Sequence, residues 1–166
     1  GEILAAISTP AAVLTVLLTA VFAVLLLVLG SPMPVNILPV LVALVLGIAI
    51  SAAFAFLTTI ITQNAEAAQM TSMPVMVLAL MSQGSIRDVL PENVADVLDR
   101  TPFALMSDLS QLGWTGTTTQ RVSAGESTLD AGGVLSETLP LMGILAVWTI
   151  VLVWAAAKYM KWETNR

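Results

Sequence analysis

The side chains that most often carry catalysis or bind metals are sparse in this 166-residue chain. It contains no cysteine and no histidine, which excludes a thiolate nucleophile, a Cys/His zinc site and the commonest general base. Arginines and acids whose spacing could form an acid–base pair are Arg87 with Asp88, and Arg100 with Asp96 and Asp99. Exposed ion pairs on short helices are the commoner reason for such spacing. We therefore predict no catalytic, cofactor-binding or metal site.

A long stretch without charge indicates the class of protein. Residues 3–65 contain no Asp, Glu, Lys or Arg, and the whole chain is 57% hydrophobic and 10% charged, with a mean hydropathy of +0.93. A bilayer core of about 30 Å requires about 20 apolar residues per helical crossing, whereas helices in water need a charged face. We predict an all-α integral membrane protein with a single transmembrane domain over 1–166. The net charge of −5 argues against nucleic acid as a partner.

Four apolar segments are predicted to cross the membrane, at about 11–29, 37–62, 70–82 and 138–157. The third is short and contains Pro74, which is typical of a helix that enters the membrane, breaks and is followed by a re-entrant element. The acidic segment 85–137 is expected to be external, with two short amphipathic helices at the interface that form a helical hairpin. Gly113 is expected to end the second of these helices, before a flexible loop over 113–133.

The basic residues at the C-terminus predict the orientation. Both lysines of the chain, Lys158 and Lys161, follow the last apolar segment, and the positive-inside rule then places the C-terminus in the cytoplasm. We predict a multi-pass protein of the plasma (inner) membrane. Four crossings leave 63–69 inside, and 31–36 and 85–137 outside.

No predicted span contains an ionisable side chain. Ion-coupled transporters and channels usually keep one near the membrane midplane. A Walker A sequence is absent as well, because no lysine precedes Lys158. The energy for any transport is therefore expected to come from a separate ATPase.

The order of several short features resembles the C-terminal part of the permease subunit of a type-2 ATP-binding-cassette (ABC) exporter. These features are Asn64-Ala65-Glu66, Pro74, Ser82-Gln83-Gly84, Leu90-Pro91-Glu92, Thr101-Pro102-Phe103 and the basic, aromatic tail 158–162. Such subunits have six spans, so the resemblance implies that about two N-terminal spans precede this chain.

The resemblance also implies roles for particular residues. An extracellular gate in the third span and the re-entrant region would include Pro74, Ser82, Gly84, Pro91 and Pro102. A cytoplasmic coupling region would include Gln63, Asn64 and Glu66, for which a solvated helix cap is the alternative. The implied partners are a cytoplasmic ABC ATPase, a second permease subunit in a homo- or heterodimer, and membrane lipids. The implied substrate is lipophilic or amphipathic, and no cofactor is expected.

Small residues recur every four positions along the second predicted span, at Ala43, Gly47, Ser51 and Ala55. This spacing is typical of a close helix-packing face, either inside the bundle or between subunits. Other functions also stay open: a secondary transporter or channel fragment, or a non-transporting membrane assembly protein. An intramembrane hydrolase would need a Ser with His or Lys, or paired Asp, at membrane depth, and neither combination is expected there.

Overall fold

A computed structural model describes residues 2–62, 65–117 and 128–159, together with the side chains of most of them. Within these ranges the fold is all-helical, as predicted, and one isolated bridge pairs Thr117 with Thr128. The helices are α1 Glu2–Val28, α2 Ile37–Ile61, α3 Ala65–Met81, α4 Gly84–Arg87, α5 Glu92–Leu98, α6 Pro102–Thr115 and α7 Ala131–Tyr159.

Three helices in the described part of the chain are long and apolar enough to cross a membrane, over Thr9–Val28, Ile37–Ile60 and Ala131–Tyr159. The apolar part of α3, Gln69–Met81, is shorter. The span predicted at 37–62 agrees with α2 to within one residue at each end. Asn36 caps the start of this helix by accepting a hydrogen bond from the Leu38 amide at 3.0 Å. The lengths and composition of these helices are compatible with the predicted membrane protein.

Helices α1, α3 and α7 begin earlier than the predicted spans, and each contains a proline. The first span is predicted to begin at about 11, directly after Pro10, but α1 begins at Glu2 and continues through this proline. Likewise α7 begins at Ala131, ahead of the predicted 138, and includes Pro140. Pro74 does not break α3, which runs on to Met81. Helices in a membrane tolerate proline where neighbouring helices, side chains or a local adjustment of the backbone satisfy the carbonyl that the proline frees.

Helices α2, α6 and α7 form the core. At one end Asn36, before α2, donates through Nδ2 to the Ala131 carbonyl at the start of α7 at 3.1 Å, so α2 and α7 run parallel. The α6 helix runs antiparallel to both, since Gly113 adjoins Asn36 whereas Phe103 stacks on Phe54 with ring centroids 5.5 Å apart. We call the end of the bundle that holds residues 29–36 the turn end, and the other the tail end. The buried core residues are Ala43, Ile50, Ala53, Leu105, Leu109, Leu145, Leu152 and Ala156.

The position of α6 corrects the prediction of an interfacial helix. The helix packs along α2 from its beginning to Phe54, and against α7, and this buries Pro102, Ala104, Leu105, Leu109, Leu112 and Gly113. Gly113 does not end the helix. The end comes at Gly116, which adopts a φ of 68° and donates its N–H to the Leu112 carbonyl at 2.9 Å. Residues 118–127 of the predicted loop lie outside the described residues.

The remaining helices lie around this core. None of the described residues of α1 is buried, and the helix touches α2 at only a few places. The α3 helix is linked to α2 where the hydroxyls of Thr62 and Thr71 lie 2.7 Å apart. The short helices α4 and α5 connect the end of α3 to the beginning of α6.

Candidate functional site: a broken helix with a buried arginine

The chain leaves α3 at Ser82, which is fully buried. Its hydroxyl donates to the Leu78 carbonyl at 2.7 Å and lies 3.1 Å from the hydroxyl of Thr101. Thr101 is the N-cap of α6: its oxygen accepts from the Ala104 amide at 3.4 Å, and Pro102 occupies the first helical position. The end of one helix is thereby joined to the beginning of another that lies 19 residues further on.

Arg87, at the end of α4, lies between the segments that follow this break. Only 4% of the residue is exposed, and its guanidinium pairs with the carboxylates of Asp99 and Asp108. A further bond joins Nη1 to Asp108 Oδ2 at 3.2 Å, so Arg87 binds Asp108 through two parallel hydrogen bonds. Three separate segments, α4, the end of α5 and α6, are thus held by one cation.

This arrangement corrects the interpretation of the charged residues as exposed pairs. Arg87 is buried rather than solvated, and its partners are Asp99 and Asp108 instead of the adjacent Asp88. Asp108 was not expected to pair at all. The sequence signal for its burial is a single carboxylate close to two leucines at helical spacing, Leu105 and Leu109. In the structure both leucines are core residues.

The cluster lies at the level of an apolar helix, although no predicted span contains an ionisable side chain of its own. Gly113 lies against Val40, and Gly47 lies against Met106, so Asp108 is level with α2 between those two contacts. At 1.5 Å per residue this is about 10 Å from the beginning of a helix about 37 Å long. An ionic cluster therefore lies beside the turn-end third of an apolar span.

Burial and pairing act in opposite directions on these groups. Burial disfavours the charge of Arg87, but hydrogen bonds and Coulombic attraction from Asp108 and Asp99 raise the pKa of the guanidinium above its ordinary value. Burial raises the pKa of Asp108, and attraction to Arg87 offsets this only in part. Arg87 is consequently always a cation. The Nε of Arg87 is buried without a hydrogen-bond partner among the described residues.

A second contact fixes the other side of the segment. The indole Nε1 of Trp148, in α7, donates to the Arg100 carbonyl at 3.1 Å. The turn before α6 is therefore bound to α7 as well as to α3.

No cluster of acidic residues in the described part of the chain could hold a metal ion.

The proposed gate residues divide into two groups. Ser82, Gly84 and Pro102 are buried around the break and the start of α6. Pro74 lies inside α3 and Pro91 immediately precedes α5, and neither takes part in the contacts described above. Of the proposed coupling residues, Gln63 and Asn64 lie outside the described residues. Glu66 belongs to α3, but its side chain also lies outside them.

The predicted packing face is covered only at one end. Ala43 is buried and Gly47 is in contact with Met106, but Ser51 and Ala55 are exposed and line a cavity of about 360 Å³ between α1 and α2. Within this chain the face thus packs against α6 near the turn end, and is open toward the tail end.

A larger cleft of about 750 Å³ separates α1 from α6. One wall is formed by apolar and threonine side chains of α1, and the other by Phe103, Met106, Ser107, Ser110, Gln111 and Trp114 of α6. The hydrogen bond from Trp114 Nε1 to Ser31 Oγ, 3.2 Å long, lies at its turn end.

Comparison of the chain with models of protein families, with curated proteins and with solved structures finds no match.

Proposed function

We propose that this chain is the transmembrane permease subunit of an ATP-driven ABC exporter that moves a lipophilic or amphipathic substrate. The observation that carries the proposal is the segment 82–116, a broken helix whose parts are packed inside the bundle and held by a buried Arg87. A helix bundle that serves only as an anchor has no use for such a segment, because burying charge beside apolar helices is costly.

The mechanism we propose uses this segment as the gate at the extracellular side. Closure of two partner ATPases would shift the cytoplasmic ends of the helices, including the region of Gln63, Asn64 and Glu66. The shift would reach α6 through α2 and α3, and α6 would then move relative to α1 and to the second permease subunit. Substrate would leave between the two subunits by alternating access. In this scheme four crossings, including α3, place the turn end outside and the C-terminus in the cytoplasm.

The basic, aromatic end of α7 supports this orientation. Lys158 Nζ lies 4.6 Å from the centre of the Trp154 ring, and the exposed Tyr159 follows. Aromatic rings with adjacent lysines are typical of the cytoplasmic membrane–water boundary.

One observation favours a second candidate, a proton-coupled secondary transporter. Asp108 is a carboxylate beside an apolar span, its pKa is raised by burial, and it pairs with a permanent cation. Proton-coupled carriers use such carboxylates as proton sites. The two candidates differ in the energy source, so one experiment separates them.

The test uses the full-length protein reconstituted in lipid vesicles with any P-loop ATPase that co-purifies with it. We expect efflux of an amphipathic dye to stop when the Walker A lysine of the partner is replaced by alanine, and to continue when an ionophore dissipates the proton gradient. Efflux that survives the lysine change and stops with the ionophore would reject the exporter in favour of the second candidate. The absence of any efflux and any co-purifying ATPase would favour an assembly protein.

The orientation has its own test. Single-cysteine variants Ala68→Cys, Ser123→Cys and Thr164→Cys are treated with an impermeant maleimide in intact cells, and labelling is compared with that in opened cells. We expect only Ser123→Cys to react in intact cells. Labelling of Thr164→Cys without Ser123→Cys would invert the topology and remove the gate from the extracellular side.

A further inference from the structure

The cleft between α1 and α6 has one wall that is polar without being charged. On α6, Ser107, Ser110, Gln111 and Trp114 are spaced at helical intervals, opposite to Leu105, Leu109 and Leu112, which are buried in the core. Asp108 lies between them in sequence, but its carboxylate is paired with Arg87 and does not line the cleft. None of the described residues that line this cleft is charged.

The polar groups of this wall are available to a ligand. The Ser110 hydroxyl donates to the Met106 carbonyl at 2.8 Å, which leaves its oxygen free to accept a hydrogen bond. The carboxamides of Gln83 and Gln111 have no hydrogen-bond partner among the described residues, and each offers two donors and an acceptor. A ligand that both donates and accepts hydrogen bonds without carrying a charge suits this set.

The opposite wall is suited to a hydrocarbon chain. Leu18, Phe22 and Leu26 of α1 line the cleft, and the first two are about half exposed because none of the described residues covers them. Toward the middle of the bundle, Phe103 and Met106 make the α6 wall apolar as well. The cleft is thus polar along α6 near the turn end and apolar farther in.

The length of the cleft matches one leaflet of a bilayer. From Phe103 to Trp114 the α6 wall extends about 16 Å, which is about half of a hydrocarbon core of about 30 Å. Trp114 is held at the turn end by Ser31, where an indole is suited to the boundary between headgroups and acyl chains. A volume of about 750 Å³ is in the range of sites for small organic ligands.

We propose that the cleft between α1 and α6 binds a non-ionic amphiphile with a hydroxyl-bearing headgroup, such as a glycolipid, at the depth of the leaflet at the turn end. The headgroup lies against Ser110 and Gln111, and the chain lies farther in, between Leu18 and Met106. A charged headgroup is disfavoured because its charge would lose water without gaining an opposite charge in the cleft. This assignment deepens the proposed export function by naming a substrate class, and it rests on that function only for the direction of movement.

The experiment measures binding, so that it does not depend on an ATPase. The full-length protein in lipid vesicles is photolabelled with an alkyl glucoside that carries a diazirine in its chain, and the labelled residues are mapped by mass spectrometry. Competitors share one octyl chain and differ in the headgroup: glucoside, phosphocholine, trimethylammonium or sulfate. We expect saturable labelling of α1 and α6 that octyl glucoside prevents at about tenfold lower concentration than the charged competitors do.

Two variants and one matched control locate the headgroup. Ser110→Ala and Gln111→Met each remove hydrogen-bonding atoms, and should raise the concentration for half-maximal labelling about 3- to 10-fold. The control is Ser136→Ala, since Ser136 is also an exposed helical serine whose hydroxyl donates to a backbone carbonyl at 2.8 Å, but it lies outside the cleft. Its labelling should equal that of the unchanged protein. Thermal unfolding of all variants is measured, so that a loss of fold is not read as a loss of binding.

Three outcomes would overturn the assignment. Labelling that spreads over all lipid-facing helices without saturation would show partition into the bilayer only. Equal competition by the charged headgroups would show a site for the chain alone. No labelling of α1 and α6, with efflux still driven by ATP, would reject the cleft and leave the exporter. Specific labelling without ATP-driven efflux would instead retain the cleft and reject the exporter.

Discussion

Replacing Gly113 with alanine tests the packing of α6 more sharply than any other single change. A Cβ at this position would lie 2.8 Å from Val40 Cγ2 and 2.9 Å from the Asn36 carbonyl oxygen. The second atom belongs to the backbone and cannot rotate away, so α6 must shift by several tenths of an ångström. The shift would also lengthen the 3.0 Å hydrogen bond from the Asn36 amide to the Gly113 carbonyl.

The magnitude follows from three contributions. Overpacking of a close contact costs about 1–3 kcal/mol, and weakening a backbone hydrogen bond costs about 0.5–1.5 kcal/mol. Alanine favours a helix over glycine by about 1 kcal/mol, which offsets part of this cost. We expect Gly113→Ala to destabilise the folded protein by about 1–3 kcal/mol.

Gly143 provides the matched control. It lies inside α7, and a Cβ there would meet no atom of the described residues within 4 Å. Only the helix preference remains, so Gly143→Ala should stabilise the protein by up to about 1 kcal/mol. Thermal unfolding of the full-length protein in detergent, followed by circular dichroism, should move the two variants in opposite directions. A Gly113→Ala protein as stable as Gly143→Ala would refute the placement of α6 against the start of α2.

Three further changes test other contacts, each by the same unfolding measurement. Arg87→Met leaves two carboxylates beside the spans without their cation and should cost about 3–5 kcal/mol, whereas Arg100→Gln removes an exposed guanidinium and should change stability by less than about 0.5 kcal/mol; equal losses would contradict the burial of the cluster. Gly47→Leu inserts a side chain where even a Cβ would lie 2.6 Å from Met106 Sδ, so it should lower expression and reduce stability by about 1–3 kcal/mol. Val45→Leu, at a position 64% exposed, should be close to neutral. Trp148→Phe removes the donor to the Arg100 carbonyl and should cost about 1 kcal/mol, and no loss at all would show that this hydrogen bond does not hold the turn before α6.

Local chemistry in the sequence was sufficient for the class of protein and for several helix boundaries. The stretch without charge predicts a membrane protein, because helices in water need a charged face whereas a bilayer core favours apolar residues. The beginnings of α2 and α6 depend on chemistry contained within four residues. Asn36 and Thr101 cap the two helices, and Pro102 occupies the first position of α6. The beginnings predicted for α1, α3 and α7 were too late, and for α1 the reason is Pro10, since a proline can either begin a helix or lie within one.

The tertiary structure alone decided which charges meet and which residues are buried. Arg87 has Asp88 as its sequence neighbour, but pairs with residues 12 and 21 positions away, because α4 packs against α6 and places Asp108 beside it. Gly113 likewise could end a helix or permit a close contact, and only the approach of α2 selects the second. Such choices depend on how helices that are distant in sequence pack together. Local composition does not contain that information, so a charge that looks exposed in the sequence can be the buried centre of the candidate site.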